Sequence, residues 1–295
     1  MNTVTETIKI ADSDIEFIFC EVKARLHKNK IIKYLSGLHD EDVKTIVDYL
    51  KNNAINTFPY EYKREYSIKD ISVQRDVDSG LLFVKDADMS IYMRRGYQSK
   101  FRVARYYNNI RIEQDKRSPH CYTSNTFYPD EGSVIFDIGG AEGYFPLQWL
   151  RHVKKVFIFE CNPEWIEALN KTYKDYKDKI VIIEKFVTDY TDSNHVTLDD
   201  VINQYNLHSE KLFIKIDTEG SEPAVLGGGI WLLKSCQNIR IAICTYHCKE
   251  HEDVFRNIFK DWKIETSDGY MLYYYDYYFS EPYIRRGVLR LENSF

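Results

Sequence analysis

Long apolar runs are missing from this chain of 295 residues. No stretch of about 18 apolar residues occurs, so no membrane-spanning helix is expected. A basic start followed by an apolar core is missing too. Ile15-Glu16-Phe17-Ile18-Phe19-Cys20 is short and broken by a charge, and no signal peptide is expected. Glycine and proline are sparse, at 13 and 7, which excludes collagen and long disordered linkers. The six cysteines (20, 121, 161, 236, 244 and 248) are scattered, which favours reduced thiols in a cytoplasmic protein over a disulfide framework. A large charge of one sign is also lacking. Forty Lys and Arg against 45 Asp and Glu leave −5, so the balance gives no general reason to expect a nucleic-acid partner. What is abundant is tyrosine, 24 against 16 Phe and 4 Trp. Its apolar ring and polar tip suit half-wet clefts as well as cores.

The texture changes near residue 130. Before it, Val43, Ile46, Val47 and Leu50 follow helical spacing over about Asp40 to Asn53. Leu81–Val84 reads as a strand, and residues 91–120 carry eight basic and two acidic side chains. After Pro129-Asp130-Glu131-Gly132, a turn signal, apolar runs alternate with helical segments. The runs are Ser133–Asp137, Val156–Glu160, Ile180–Ile183, Leu212–Asp217 and Ile239–Ile243; helices are expected near Phe145–His152 and Pro163–Tyr176. This alternation predicts an α/β fold with a mostly parallel sheet covered by helices. The expected organisation is an accessory, acceptor-binding region over 1–130 and a catalytic domain over 131–295. Ligands of such sheets bind beyond the carboxyl ends of the strands, which singles out Asp137, Glu160, Asp217 and the segment after Ile243.

Asp137-Ile138-Gly139-Gly140-Ala141-Glu142-Gly143 follows a strand and precedes a helix. A dinucleotide fingerprint would need glycine where Ala141 stands. An acid at the strand end repels a pyrophosphate but attracts an ammonium or a sulfonium. Glu160, ending the next strand, can accept hydrogen bonds from ribose hydroxyls. The pair fits S-adenosylmethionine better than NAD.

The stretch Val134–Tyr144 resembles the first motif of the FkbM family of S-adenosylmethionine-dependent methyltransferases. Thr197-Leu198-Asp199-Asp200 resembles its TLDD element, and Phe213-Ile214-Lys215-Ile216-Asp217-Thr218-Glu219-Gly220-Ser221-Glu222 its IKIDxEGxE motif, continued by Val225-Leu226-Gly227-Gly228. The resemblance implies a class I methyltransferase fold, Rossmann-like and seven-stranded with an antiparallel last strand. It also implies methyl transfer to oxygen, commonly on a sugar or another small hydroxylated acceptor.

Donor-side candidates are Asp137, Gly139, Gly140, Ala141, Gly143, Tyr144, Glu160, Cys161, Thr188, Asp189 and Asp217. For catalysis His247 is the first choice of base, because its ordinary pKa of about 6.5 suits proton transfer near neutrality. Asp217 and Glu219 are expected as its companions, while Glu222 reads as a helix N-terminal acid. Arg94, Arg95, Arg117, His120 and Tyr246 are the acceptor-side candidates, since arginine forks bind phosphate. No metal is expected: no Asp-Asp pair follows the fifth strand, and Cys244-x-x-His247-Cys248-x-x-His251 is too contiguous to wrap one zinc. Asp268-Gly269 reads as a hairpin turn, placing the tyrosines at 270, 273, 274, 275, 277, 278 and 283 on the last strands. Competing readings are methylation of another small molecule, a lipid or a nucleic acid, and an NAD-dependent oxidoreductase. An oligomer is left open.

Overall fold

The computed structural model describes residues 22–274 and 280–293. Ile15–Cys20 and Tyr275, Tyr277 and Tyr278 lie outside them. By its packing the chain divides into two units, Met1–Glu61 with Gly269–Arg285, and Tyr62–Asp268 with Arg286–Phe295. This division does not follow the change of texture at 130. Residues 62–130 belong with the sheet, because Tyr122 and Phe127 are buried against Ile135, Phe145 and Phe213.

In the first unit, α1 (Lys28–Leu35) and α2 (Glu41–Asn52) pair through buried Ile31, Leu35, Val43, Ile46, Val47 and Leu50. The Asp40 carboxylate starts α2 by accepting from the amides of Asp42 and Val43, at 2.8 and 3.2 Å. Leu272, Tyr274, Tyr283 and Ile284 complete that core. Leu272 and Ile284 face each other in a short antiparallel pair, Met271–Leu272 with Ile284–Arg285, and Tyr274 and Tyr283 lie beside it. The expected two-residue hairpin at Asp268-Gly269 is therefore a correction: there the chain leaves the sheet for the first unit, and returns at Arg286.

The second unit opens with an antiparallel sheet of β1 (Val73–Arg75), β2 (Leu82–Asp86) and β3 (Met89–Tyr92). The helix α3 (Lys100–Glu113) packs on it, and both close over Trp165 and Ala168. The main sheet and its helices follow. They are β4 (Val134–Ile138), α4 (Tyr144–Trp149), β5 (Lys155–Phe159), α5 (Pro163–Thr172), β6 (Ile180–Ile183), α6 (Leu198–Tyr205), β7 (Leu212–Ile216), α7 (Glu222–Gly227), α8 (Ile230–Ser235), β8 (Ile239–Cys244), α9 (His251–Ile258), β9 (Lys263–Thr266) and β10 (Val288–Glu292). The strand order is β9-β10-β8-β7-β4-β5-β6. All neighbours are parallel except β10, which runs against both β8 and β9. This is the class I methyltransferase arrangement: seven strands, one reversed.

Strand alternation sorts the core. Val134, Phe136 and Ile138 of β4 and Leu212, Ile214 and Ile216 of β7 face one layer, beneath residues of α6 to α9. Ile135 and Phe213 face the other, beneath Phe145, Leu150, Leu169 and Tyr173. Period two puts Asp137 and Lys215 on this second, otherwise apolar face, side by side in register. The strand order reverses between β4 and β7, and that junction is where such sheets open a ligand crevice. No helix among the described residues is long and apolar enough to cross a membrane.

Candidate active site

The glycine loop after β4 is shaped by contacts with protein. Gly139 has φ +75°, and a Cβ there would come within 2.0 Å of the Asp217 carbonyl oxygen. The amides of Gly139 and Gly140 both donate to the Phe159 carbonyl at 3.1 Å, and the Ala141 amide donates to Glu160 Oε2 at 2.9 Å. These three amides are thus spent on the end of β5 and do not form a phosphate cradle. Glu160 Oε1 also accepts from the amides of Cys161 and Asn162, each at 2.8 Å. Of the roughly four acceptor directions of a carboxylate, three are filled by backbone amides, where the expectation of two ribose hydroxyls needs two left open.

Asp137 is buried, with Lys215 Nζ 3.0 Å from its Oδ1. Burial raises its pKa and the lysine charge only partly opposes this. Its expected contact with a cationic ligand is corrected by that pairing: its charge is matched inside the fold. Gly143 carries φ +74° and would strike Leu169 and Tyr173 if it bore a Cβ. Tyr144 meets Tyr107 edge-on. Thr188 and Asp189 lie against the glycines at the end of α7: a Cβ on Gly228 would meet the Thr188 carbonyl oxygen at 2.0 Å, and one on Gly227 the Asp189 Cβ at 3.1 Å. Cys161 is exposed.

Asp217, one residue past β7, is the hub of the site. Tyr122 and Tyr246 donate to its two carboxylate oxygens at 2.6 and 3.2 Å. His120 Nε2 lies 3.5 Å from Oδ2, and His247 Nε2 lies 3.4 Å from Oδ1. Burial would raise the Asp217 pKa, but the His120 hydrogen bond and the charges of Lys215, His120 and His247 hold it well below the usual carboxylate range. His120 is placed by its neighbour: the Pro119 carbonyl accepts from Ser267 Oγ at 2.6 Å.

His247 follows β8. Its Nδ1 is 2.8 Å from Glu222 Oε1, and its Nε2 is 3.5 Å from Glu219 Oε2. Glu222, the first residue of α7, is fully buried. Burial opposes its charge, but the contact with His247 and the Thr218 amide lower its pKa. Glu222 lies closer to Nδ1, at 2.8 Å, than Asp217 does to Nε2, at 3.4 Å, so the Nδ1 side is the tighter of the ring's two carboxylate contacts. His251 Nδ1 stands 3.4 Å from the other Glu222 oxygen. Burial disfavours the charged His247 ring, yet the Glu222 hydrogen bond and the charges of Asp217, Glu222 and Glu219 outweigh it and raise its pKa. Glu219 adopts φ 54°, uncommon for a residue with a side chain.

Sequence reasoning missed Tyr122, Lys215 and Glu113, and favoured Glu222 as a helix acid over a catalytic group. Lys215 had a signal, a cation inside an apolar run. Tyr122 and Glu113 had none, since only folding brings them to β7. Burial lifts Glu113 to about 7, with the charges of His120, Glu142 and Asp217 acting on it. Two of the five acceptor-side candidates, His120 and Tyr246, join the hub, with 3.2 Å between His120 Nε2 and the Tyr246 hydroxyl. Arg95 and Arg117 do not. Arg95 Nε donates to Glu167 at 3.0 Å, and Arg117 bridges Glu65 and Asp115 at 2.7 Å each, on exposed surface. Among the described residues, ligand atoms suited to a metal come within 4.8 Å of one another in two sets, His120–Asp217–Cys244 and Asp217–Glu222–His247.

Residues 167–263 match a family described as Methyltransferase FkbM domain. The chain matches the FkbM methyltransferase domain over this third of its length. The FkbM match takes in the TLDD and IKIDTEGSE stretches and His247, and begins beyond the glycine loop. No curated protein matches the chain. Among solved structures, the chain is similar to the C-terminal domain of precorrin-6Y C5,15-methyltransferase from Rhodobacter capsulatus: 14% identity, 56% of this chain and 82% of that one, TM-score 0.37. It is similar to a putative methyltransferase from Streptococcus mutans in complex with SAH: 15%, 56% and 90%, 0.37. It is also similar to a putative tRNA (m1A22) methyltransferase from Streptococcus pneumoniae in complex with S-adenosyl-L-methionine: 14%, 56% and 68%, 0.36.

Proposed function

We propose that the chain is an S-adenosylmethionine-dependent O-methyltransferase acting on a hydroxyl of a sugar or glycan precursor, with His247 as general base. The observation that carries the reading is the Glu222–His247 pair beside Asp217, at the strand ends next to the glycine loop. The loop's engaged amides favour a donor without phosphates. Glu160 retains an acceptor direction for a ribose hydroxyl.

When bound, the donor supplies a methyl carbon on a positively charged sulfur, which leaves as a neutral thioether. The residues of the chain do the rest. Glu222 fixes the imidazole, and His247 Nε2 takes the acceptor's hydroxyl proton as its oxygen forms the new bond to carbon. Asp217, kept ionised, steadies the imidazolium that results. Tyr122, Tyr246 and His120 hold Asp217 in place and wall the acceptor side. Base catalysis of this kind contributes about 10²–10⁴-fold; alignment of the reacting atoms supplies several kcal/mol more.

Isothermal titration with S-adenosylhomocysteine tests the donor half. Saturable binding, weakened in Glu160→Ala, is expected; no binding by the native protein overturns the reading. Screening nucleotide-sugars and free sugars with labelled donor tests the acceptor half.

A further inference from the structure

The three arginines singled out in the basic stretch part company in the fold. Arg95 and Arg117 are each neutralised by acids at the surface. Arg94 is half-buried and forms no ion pair among the described residues. Its guanidinium lies 5.1 Å from the ring centre of Tyr97 and 5.7 Å from that of Trp165. Its Nε is buried and donates no hydrogen bond. Aromatic faces offset a desolvated cation only in part. An anion beside it would remove that cost.

This aromatic wall continues to the site. Tyr97 packs on Tyr106 with ring centres 5.0 Å apart, and the Tyr106 hydroxyl donates at 2.6 Å to Glu142 of the glycine loop. An arginine with no acid beside it, on the same wall as the loop, is a charge left for a ligand to neutralise.

We infer that Arg94 is an anion receptor of the cleft, taking the carboxylate or phosphate of a ligand that also lies against the glycine loop. The inference rests on the methyltransferase reading. The anion comes either from the donor's amino-acid carboxylate or from a phosphorylated acceptor, and the chemistry of recognition is the same.

The test is titration of the full chain and its Arg94→Gln and Arg94→Lys variants with three probes: S-adenosylhomocysteine, 5′-methylthioadenosine, which lacks the carboxylate, and uridine diphosphate. A donor carboxylate predicts that R94Q weakens S-adenosylhomocysteine tenfold or more while methylthioadenosine is unchanged. An acceptor phosphate predicts the same loss for uridine diphosphate alone. In either case R94K recovers part of the affinity. The inference is overturned if R94Q binds all three as the native chain does. It is also overturned if both adenosine ligands weaken equally while the melting temperature falls, since that is a packing role. Native chain that binds no S-adenosylhomocysteine sinks the methyltransferase reading instead, so the two failures are told apart.

Discussion

At the residue scale, the site is a set of charges kept in balance by burial. His247 faces three carboxylates, Asp217, Glu219 and Glu222, and they hold its pKa above the ordinary histidine value. A raised pKa means the ring stays protonated to higher pH, and a base must be unprotonated to act. Turnover is therefore expected to rise with pH through a midpoint above about 6.5. In Glu222→Gln the supporting charge is gone, so that limb should move to lower pH; a profile of kcat that does not move would remove Glu222 from the role of orienting group. His247→Ala is expected to lower kcat about 10²–10⁴-fold while S-adenosylhomocysteine affinity, read by titration, stays near native. Glu219 carries a different cost. Its left-handed backbone costs a side chain of this kind roughly 1 kcal/mol, so Glu219→Gly should raise the melting temperature while slowing turnover. Treatment with EDTA followed by gel filtration is expected to leave turnover intact. Loss restored by a divalent ion would show instead that the ligand atoms around Asp217 hold a cation.

At the element scale, the apolar runs of the sequence became β4 to β8 with ends shifted by at most a residue. The density of apolar residues is what made them legible, although Lys215 and Arg240 interrupt two of the runs and Ile180–Ile183 is only partly buried. The TLDD stretch took its place for mechanical reasons. Thr197 Oγ1 accepts from the Asp200 amide at 3.1 Å to start α6. The Asp199 carboxylate reaches across to accept from the Trp231 and Leu232 amides, both at 2.9 Å, at the start of α8. One acid thus ties two helices, and Asp199→Ala should cost about 1 kcal/mol and a few degrees of melting temperature with donor affinity unchanged. The hub was only partly legible. Asp217 and His247 lie just beyond the ends of β7 and β8 and could be read from position alone. Tyr122 reaches Asp217 from 95 residues away, and nothing local in its sequence marks it. The Asp268-Gly269 turn misled because the pattern of a hairpin says where a chain bends, not how far it travels before it pairs.

At the scale of the whole molecule, the tyrosine excess resolves into separate uses. Tyr122 and Tyr246 serve the hub, Tyr97 and Tyr106 line the wall beside the loop, and Tyr274 and Tyr283 are core of the first unit. Replacing 269–285 with a short turn would strip Leu272, Tyr274, Tyr283 and Ile284 from that core. Its helices are then expected to lose protection in hydrogen exchange, while the amides of β9 and β10, which pair directly as Thr266 with Leu289, stay protected.

The place of β10 has a consequence in time. It lies between β8 and β9, both of which precede it in the chain. A ribosome delivers β4 to β9 first, so that side of the sheet waits with two unfilled edges until residue 292 has emerged. Until then the hydrogen-bonding flank of β8 is open, and with it the strand from which His247 springs. On the proposed reading, the donor half of the crevice, on β4 and β5, can be shaped while the chain is still being made. The half that holds His247 is completed only once β10 has emerged, so a chain stalled before residue 288 should acquire donor affinity without turnover.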